Sequence, residues 1–165
     1  MTRTLEPVKL FAVLLLIWVL LNNAVNPAIL ITGALAAGVI TWFFRSGLSF
    51  LSGLNLTPAG LTATVLYILY FFKELVLANL QMASIVLKPS LPIDPAIVKV
   101  RTTLTHPVAR LLLANSITLT PGTLTVEIHG EWLYIHWVRA AGTDVETATR
   151  EIAAGFERYL EVMYG

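Results

Sequence analysis

Charged side chains are distributed so unevenly along this chain that one half is suited to lipid and the other half to water. Residues 1–87 carry six charged side chains, and residues 88–165 carry the other fifteen. Two stretches, 10–21 and 28–44, hold no charge at all. Helical apolar runs of about 17 residues or more match the roughly 30 Å hydrocarbon layer of a bilayer. The sequence therefore predicts a membrane-embedded helical region at 1–88 and a polar domain at 89–165.

Composition agrees with this division and excludes several classes. Apolar side chains make up 56% of the chain and charged ones 13%, with a mean hydropathy of +0.76, which is typical of membrane proteins. Neither half has a concentrated basic face, so nucleic acid is not an expected partner. The absence of cysteine excludes disulfides and thiolate metal sites. The N-terminus resembles a signal peptide, but residues 22–27 lack a small-residue cleavage pattern, so we expect a retained anchor.

The first two helices are predicted to form a membrane hairpin. The first runs over about 7–25 and the second over 27–44, with Asn26 as N-cap, Pro27 in the first turn and Arg45 at the end. The second helix carries small residues four apart, which allow close helix contact in lipid or simply reflect the abundance of such residues in membrane helices. These small residues are Gly33, Ala34, Ala37 and Gly38.

A third, longer helix is predicted from Thr57-Pro58 to about Leu87, after a Gly/Ser-rich loop at 46–57. At about 45 Å it is too long for a simple upright span. One stripe is comparatively polar and contains Tyr67, Tyr70, Glu74, Gln81, Ser84 and Lys88. The opposite side is apolar and contains Val65, Ile68, Leu69, Phe72, Leu75, Val76, Leu80 and Val86.

Charge leaves three topologies open. Arg3, Lys9 and Arg45 flank the hairpin on one side, which the positive-inside rule places in the cytoplasm. A third helix that crosses the bilayer would then carry 89–165 outside, and one that lies along the interface would keep it inside. An inverted chain with three spans would also place it inside. We expect a cytoplasmic domain, with two or three spans.

Residues 91–165 have the pattern of a small α+β domain. The predicted order is a strand at 96–102, a short helix at 107–115, an optional short strand at 117–119, a hairpin of strands 123–128 and 132–138, and a last helix after the capping box at 143–146. In the strand at 123–128, alternation puts Leu124, Val126 and Ile128 on one face. This order predicts an antiparallel or mixed sheet with two helices on one face.

No catalytic, cofactor or metal site is predicted. The histidines at 106, 129 and 136 have no metal-ligand spacing, and Ser116 has no paired histidine and acid. The turn at 121–123 lacks the glycine and lysine pattern of a phosphate loop. The competing class is a small membrane enzyme with a site near Thr118–Thr125 and His136.

Lys73 and Glu74 form an ionisable pair at predicted membrane depth. Such pairs are ion-path candidates by default. Between Arg45 and Lys88, however, the sequence has no other ionisable acid or base, and one pair cannot form a path. Adjacent helical residues point about 100° apart, so we expect the two not to face each other and to serve packing or anchoring.

The most distinctive part of the sequence is residues 112–126, which read LLANSITLTPGTLTV. Together with EWLYIH at 131–136, KELVLAN at 73–79 and IVLKP at 85–89, it resembles the E subunits of Mrp-type multisubunit sodium/proton antiporters, over nearly the whole chain. The resemblance implies a multi-pass subunit of the prokaryotic inner membrane with a cytoplasmic C-terminal domain. It also implies a supporting role beside other antiporter subunits, which translocate the ions. Related subunits occur in membrane-bound hydrogenase-type complexes, so the parent complex stays open.

Within that string, one segment is predicted to act as a structural turn and docking element. Asn115 is expected to end the short helix, and Pro121-Gly122 suits a type II turn, where glycine takes a positive φ. The segment comprises Asn115, Thr118, Thr120, Pro121, Gly122 and Thr123.

Overall fold

The computed structural model describes residues 5–44 and 53–165, and the chain divides into two compact units, Met1–Ser52 and Gly53–Gly165. The predictions made for Arg3, for Arg45 and for the loop at 46–52 lie outside the described residues. The first unit contains α1 (Leu5–Asn22) and α2 (Pro27–Phe44). The second contains α3 (Pro58–Val86), β1 (Ala96–Arg101), α4 (Pro107–Leu119), β2 (Thr123–His129), β3 (Trp132–Trp137), α5 (Val145–Ala148), a π-helical turn (Thr149–Ala153) and α6 (Ala154–Tyr164).

The first unit is the predicted hairpin. Asn26 Oδ1 accepts a hydrogen bond from the Ile29 backbone N–H at 3.0 Å, which is the expected N-cap. Trp18 of α1 donates its Nε1–H to the Ile29 carbonyl at 3.1 Å, and its ring covers Gly33 so closely that a Cβ there would overlap it. Gly33 and Ala37 are buried, whereas a Cβ at Gly38 would meet open space. The close contact therefore uses the 33/37 pair.

Two of the described helices, α2 and α3, are long and apolar enough to cross a bilayer. The apolar part of α1, from Pro7 to Asn22, is shorter. Hydropathy alone thus treats α2 and α3 as equivalent, although their packing differs completely.

A three-stranded antiparallel sheet in the order β1-β3-β2 forms the C-terminal part, as predicted. The β2–β3 hairpin turns at Gly130, which has φ +57°. A bulge between Thr125 and Glu127 shifts the register, so that Leu124 pairs with His136 and Ile128 with Leu133. Since His136 and Leu133 lie on opposite faces of β3, the predicted common face of Leu124, Val126 and Ile128 was wrong.

Helix α4 is longer than predicted, because it continues from Pro107 through Asn115 to Leu119. The prediction that Asn115 ends the helix, and the optional strand at 117–119, were therefore wrong. Leu113 and Ile117 are four residues apart and fully buried, so the helical stripe continues to pack beyond Asn115. This burial overrides the weak β preference of Ile117 and Thr118.

The core lies on one face of the sheet and includes three helices. Val98, Val100, Leu133 and Ile135 of the sheet are covered by α4 and α6, chiefly by Leu113, Ile117, Phe156 and Leu160. Helix α3 packs on α6, and its Ala63 and Tyr67 belong to the same buried cluster. Helix α3 is thus part of the second compact unit, although its composition resembles that of the hairpin.

Candidate functional site

The segment at 115–123, which we call the signature turn, ends helix α4 with threonine hydroxyls. Thr120 Oγ1 and Thr123 Oγ1 lie 2.8 and 2.6 Å from the Ile117 carbonyl, to which they donate. The Thr118 hydroxyl accepts the Thr125 backbone N–H at 3.1 Å, and the Thr125 hydroxyl donates to the Ala114 carbonyl at 3.1 Å. The Ile117 carbonyl is in this way satisfied, although the residue four positions on is Pro121, which has no N–H to donate.

The reversal of the chain occurs at Pro121-Gly122, as predicted. Gly122 has φ +101°, and the Thr123 N–H reaches the Thr120 carbonyl at 3.4 Å, which closes a type II turn. The Gly122 carbonyl accepts the Val138 N–H at 2.9 Å, and a Cβ at Gly122 would lie 3.0 Å from Met82 Cε. The turn therefore lies directly against α3.

A second link between α3 and α4 escaped the sequence analysis. The hydroxyl oxygens of Tyr67 and Ser116 are 2.5 Å apart, and Ser116 in turn donates to the Leu112 carbonyl at 2.8 Å. Both side chains are buried. The only signal in the sequence was that Tyr67 begins the polar stripe of α3, since nothing local indicates a partner 49 residues away.

A cavity of about 450 Å³ lies between α3 and the signature turn. Gln81 and Met82 line it from α3, and Gly122, Trp137 and Arg139 line it from the sheet side. Its described lining residues include no carboxylate and no imidazole, so they offer hydrogen bonds and one cation, without an acid–base pair.

Lys73 and Glu74 form an ion pair with each other. Lys73 Nζ lies 3.1 Å from Glu74 Oε1, with side chains 62% and 29% exposed. The expectation that the two do not face each other was wrong, because their long side chains bend towards each other across adjacent positions.

Beside this ion pair is a basic–aromatic edge, formed by Tyr70, Lys73, Arg158 and Tyr159. Lys73 and Arg158 lie 5.4 and 5.3 Å from the Tyr70 ring centroid, and Arg158 also donates to the Tyr159 hydroxyl at 2.7 Å.

The histidines are dispersed over three elements. His106 precedes α4 and stacks on Tyr164, with ring centroids 5.1 Å apart, whereas His129 and His136 lie in β2 and β3. In the ranges 5–44 and 53–165, no three histidine, aspartate or glutamate side chains form a group able to hold a metal ion.

Two carboxylates fix local structure in the domain, Glu157 by binding the segment after β1 and Asp144 by capping α5. Glu157 is buried and accepts the Thr102 hydroxyl and the Thr103 backbone N–H, both at 2.6 Å. Asp144 caps α5, where the Thr147 N–H donates to its Oδ1 at 2.8 Å and lowers the pKa of this carboxyl. Both interactions are structural in kind, since each carboxylate is bound by backbone or threonine groups.

Comparison with known proteins gives the family. A family model described as a Na+/H+ ion antiporter subunit matches residues 11–163. The chain belongs to this family. It is similar to the E subunit of the Na(+)/H(+) antiporter of Alkalihalophilus pseudofirmus, with 34% identity over 148 residues, which cover 88% of this chain and 90% of the relative. The corresponding E subunit of Bacillus subtilis is also 34% identical over 146 residues, covering 87% of this chain and 89% of the relative.

A solved structure resembles nearly the whole antiporter-family chain. It is a chain of the membrane-bound sulfane sulfur reductase, an archaeal respiratory membrane complex, with a TM-score of 0.84 and 38% identity. The alignment covers 98% of this chain and 99% of that one. The resemblance predicted from residues 112–126 is confirmed, and the chain is a prokaryotic membrane protein of an antiporter subunit family.

Proposed function

We propose that this antiporter-family chain is a non-catalytic subunit of a multisubunit sodium/proton antiporter, where it supports the assembly and stability of the complex. The observation that carries the proposal is the set of hydrogen bonds that the signature turn makes within the chain. Its hydroxyls at 118, 120 and 123 are bound to backbone groups, and Ser116 is bound to Tyr67. The most distinctive segment of the sequence thus holds α4 and the sheet against α3, instead of presenting a reactive group.

Ion translocation in such a complex belongs to other, larger subunits. A path through the bilayer needs a series of ionisable groups. From Pro7 to Phe44 the hairpin contains one ionisable residue, Lys9, and α3 contains one acid and one base, which pair with each other. The partners of this chain are therefore other antiporter subunits and the lipid around the hairpin.

We assign residues 1–88 to the membrane and its surface, and residues 89–165 to the cytoplasm. Basic residues at 88, 99, 101 and 110 follow the last apolar helix, and short segments rich in lysine and arginine near membrane helices stay in the cytoplasm. Because the chain has no native cysteine, a Glu146→Cys variant can be labelled there alone. Protection from an impermeant thiol reagent in intact cells is expected, and labelling before lysis would contradict the assignment.

A second candidate is the equivalent subunit of a related membrane-bound respiratory or hydrogenase-type complex. The full-length similarity to a chain of the sulfane sulfur reductase complex, at 38% identity, favours it. A small membrane enzyme with a site at 118–125 has less support, because Thr118, Thr120 and Thr123 are engaged in the backbone contacts described above.

Co-purification distinguishes these candidates. The chain is tagged, extracted from native membranes in mild detergent, and the co-migrating proteins are identified. Antiporter-like membrane subunits are expected, together with sodium-dependent proton exchange in vesicles that is lost when the gene is deleted. Soluble redox subunits in the same particle would support the second candidate. Isolation as an active protein without any membrane partner would contradict both.

A further inference from the structure

Helix α3 is apolar on two opposite sides, and the chain itself covers only one of them. Gly60, Ala63, Tyr67 and Ile85 are buried, and Ala63 and Tyr67 belong to the core cluster of the C-terminal domain. The opposite stripe follows helical spacing, and each of its large side chains is at least half exposed. This exposed stripe comprises Leu61, Val65, Leu69, Phe72, Val76, Leu80 and Leu87.

The domain follows α3 along its length, which argues against a bilayer crossing. Tyr67 contacts Ser116, Tyr70 lies against Gly155, and Met82 lies against Gly122. At 29 residues, α3 is about 43 Å long, well beyond the hydrocarbon thickness of roughly 30 Å. An upright α3 would carry the charged domain on its covered side into lipid, where isolated charges are strongly disfavoured.

The exposed stripe follows a predicted membrane span in the sequence. Helix α2 is long and apolar enough to cross a bilayer, and residues 45–57 connect it directly to α3. A chain with such a span is anchored in a bilayer, so lipid is an apolar phase that the exposed stripe can meet.

The basic–aromatic edge borders this stripe on one side. Lys73 lies on α3, Arg158 lies over the Tyr70 and Tyr159 rings, and no described carboxylate forms an ion pair with Arg158. Tyrosine rings and basic side chains prefer the headgroup level of a bilayer. An apolar stripe beside basic side chains is typical of helices that lie in the membrane interface. Lys73 is paired with Glu74, so Arg158 is the cation of this edge that complements anionic headgroups.

We propose that α3 lies in the plane of the membrane surface, with its exposed stripe among the upper acyl chains and the basic–aromatic edge at the headgroups of anionic lipids. The helices of the hairpin are then the membrane spans, and the domain contacts the bilayer surface through α3. This inference rests on the proposed placement of residues 89–165 on one side of the membrane. It does not depend on which complex contains the chain.

The depth of the stripe tests the orientation. Single cysteines at Val65, Val76 and Leu87 sample about 33 Å of one helical face, and nitroxide labels there are measured in the purified complex in vesicles. The accessibilities to oxygen and to a water-soluble nickel chelate are compared. We expect the same shallow depth at all three positions, about 5–10 Å below the headgroups. A matched label at Ile97, which is 66% exposed on the outer face of the sheet, is expected to contact water.

Two results would overturn the proposal. A depth that is greatest at Val76 and falls towards both ends would show a crossing helix. Labels shielded from both oxygen and chelate would show that another subunit covers the stripe. Either result leaves the co-purification experiment unaffected, so the failure of this inference is distinguishable from failure of the proposed function.

A fluorophore at Leu77, one turn from Lys73, tests the headgroup contact. The complex is placed in mixed phosphatidylglycerol and phosphatidylcholine vesicles in which one lipid or the other is brominated. Quenching by brominated phosphatidylglycerol is expected to exceed that by brominated phosphatidylcholine about twofold, and the excess to disappear in Lys73→Gln with Arg158→Gln. The control Arg150→Gln, an exposed arginine paired with Glu151, keeps the excess. Equal quenching in the unchanged chain would overturn the headgroup contact.

Discussion

Helices α2 and α3 have similar hydropathy but entirely different neighbours. In the hairpin, the small residues Gly33 and Ala37 are buried against α1, and the large apolar side chains of α2 point outwards. In α3, one stripe packs into the core of a charged domain, and the opposite stripe remains apolar. The comparison shows that hydropathy indicates how much apolar surface of a helix has to be covered. The elements that pack against the helix decide whether it can cross a bilayer.

The largest expected effect tests the docking of α3 on the signature turn. Gly122→Val forces a β-branched residue to φ +101° and directs its side chain at Met82. Strain of this kind costs about 1–3 kcal/mol, before the loss of the contact is counted. We expect strongly reduced abundance of assembled complex, measured by native electrophoresis of membrane extracts. Normal abundance with abolished transport would instead give the turn a direct functional role.

The corresponding test in the hairpin compares two glycines of α2. Gly33→Leu would overlap the Trp18 ring, whereas Gly38→Leu meets open space among the described residues. Overpacking of this kind typically costs about 1–3 kcal/mol, and it is smaller where a side chain can move aside. We expect a lower thermal-aggregation temperature in detergent for Gly33→Leu and little change for Gly38→Leu. Equal behaviour of the two would mean that the helices do not meet at Gly33.

A smaller effect is expected for the hydrogen bond between α3 and α4. Tyr67→Phe keeps the ring in the core but removes the hydroxyl that lies 2.5 Å from Ser116 Oγ. Loss of one buried hydrogen bond costs about 1 kcal/mol. The unfolding transition of the purified complex should shift down by a few degrees. Tyr134→Phe, on the outer face of the sheet, is the matched control, and a shift of equal size there would remove the special role of Tyr67.

The smallest effect is expected at the ionisable pair. Glu74→Gln removes the charge that faces Lys73 while keeping the shape of the side chain. Ion pairs with this exposure contribute about 0–1 kcal/mol. We therefore expect normal assembly and at most a modest loss of sodium-dependent proton exchange in everted vesicles. Complete loss of exchange in a fully assembled complex would place Glu74 in an ion path.

Local signals predicted the elements whose causes are local. Asn26-Pro27 predicted the start of α2, and Pro121-Gly122 predicted the turn, since caps and positive φ depend on a few neighbouring residues. Alternation predicted the β2–β3 hairpin. The bulge at Val126 was missed, because a register shift is decided by the partner strand and leaves no mark in a pattern of period two.

The candidate site was predicted less completely, for the same reason. The sequence identified the signature turn but ended α4 at Asn115, because the burial of Ile117 that continues the helix comes from α6 and the sheet. The contact of Tyr67 with Ser116 joins residues far apart in the chain. The basic–aromatic edge combines α3 with Arg158 and Tyr159 of α6, so its members have no common sequence motif.

By itself, the sequence determined that this protein has a hairpin with very few charges, a third apolar helix and a charged α+β domain, and it determined the family through residues 112–126. Those properties follow from composition, periodicity and short motifs, which are properties of the chain alone. Only the tertiary structure decided that α3 belongs to the domain. Helical spacing shows that a stripe must be covered but not by what, and the answer lies in the contacts of Ala63 and Tyr67 with residues that follow much later in the chain.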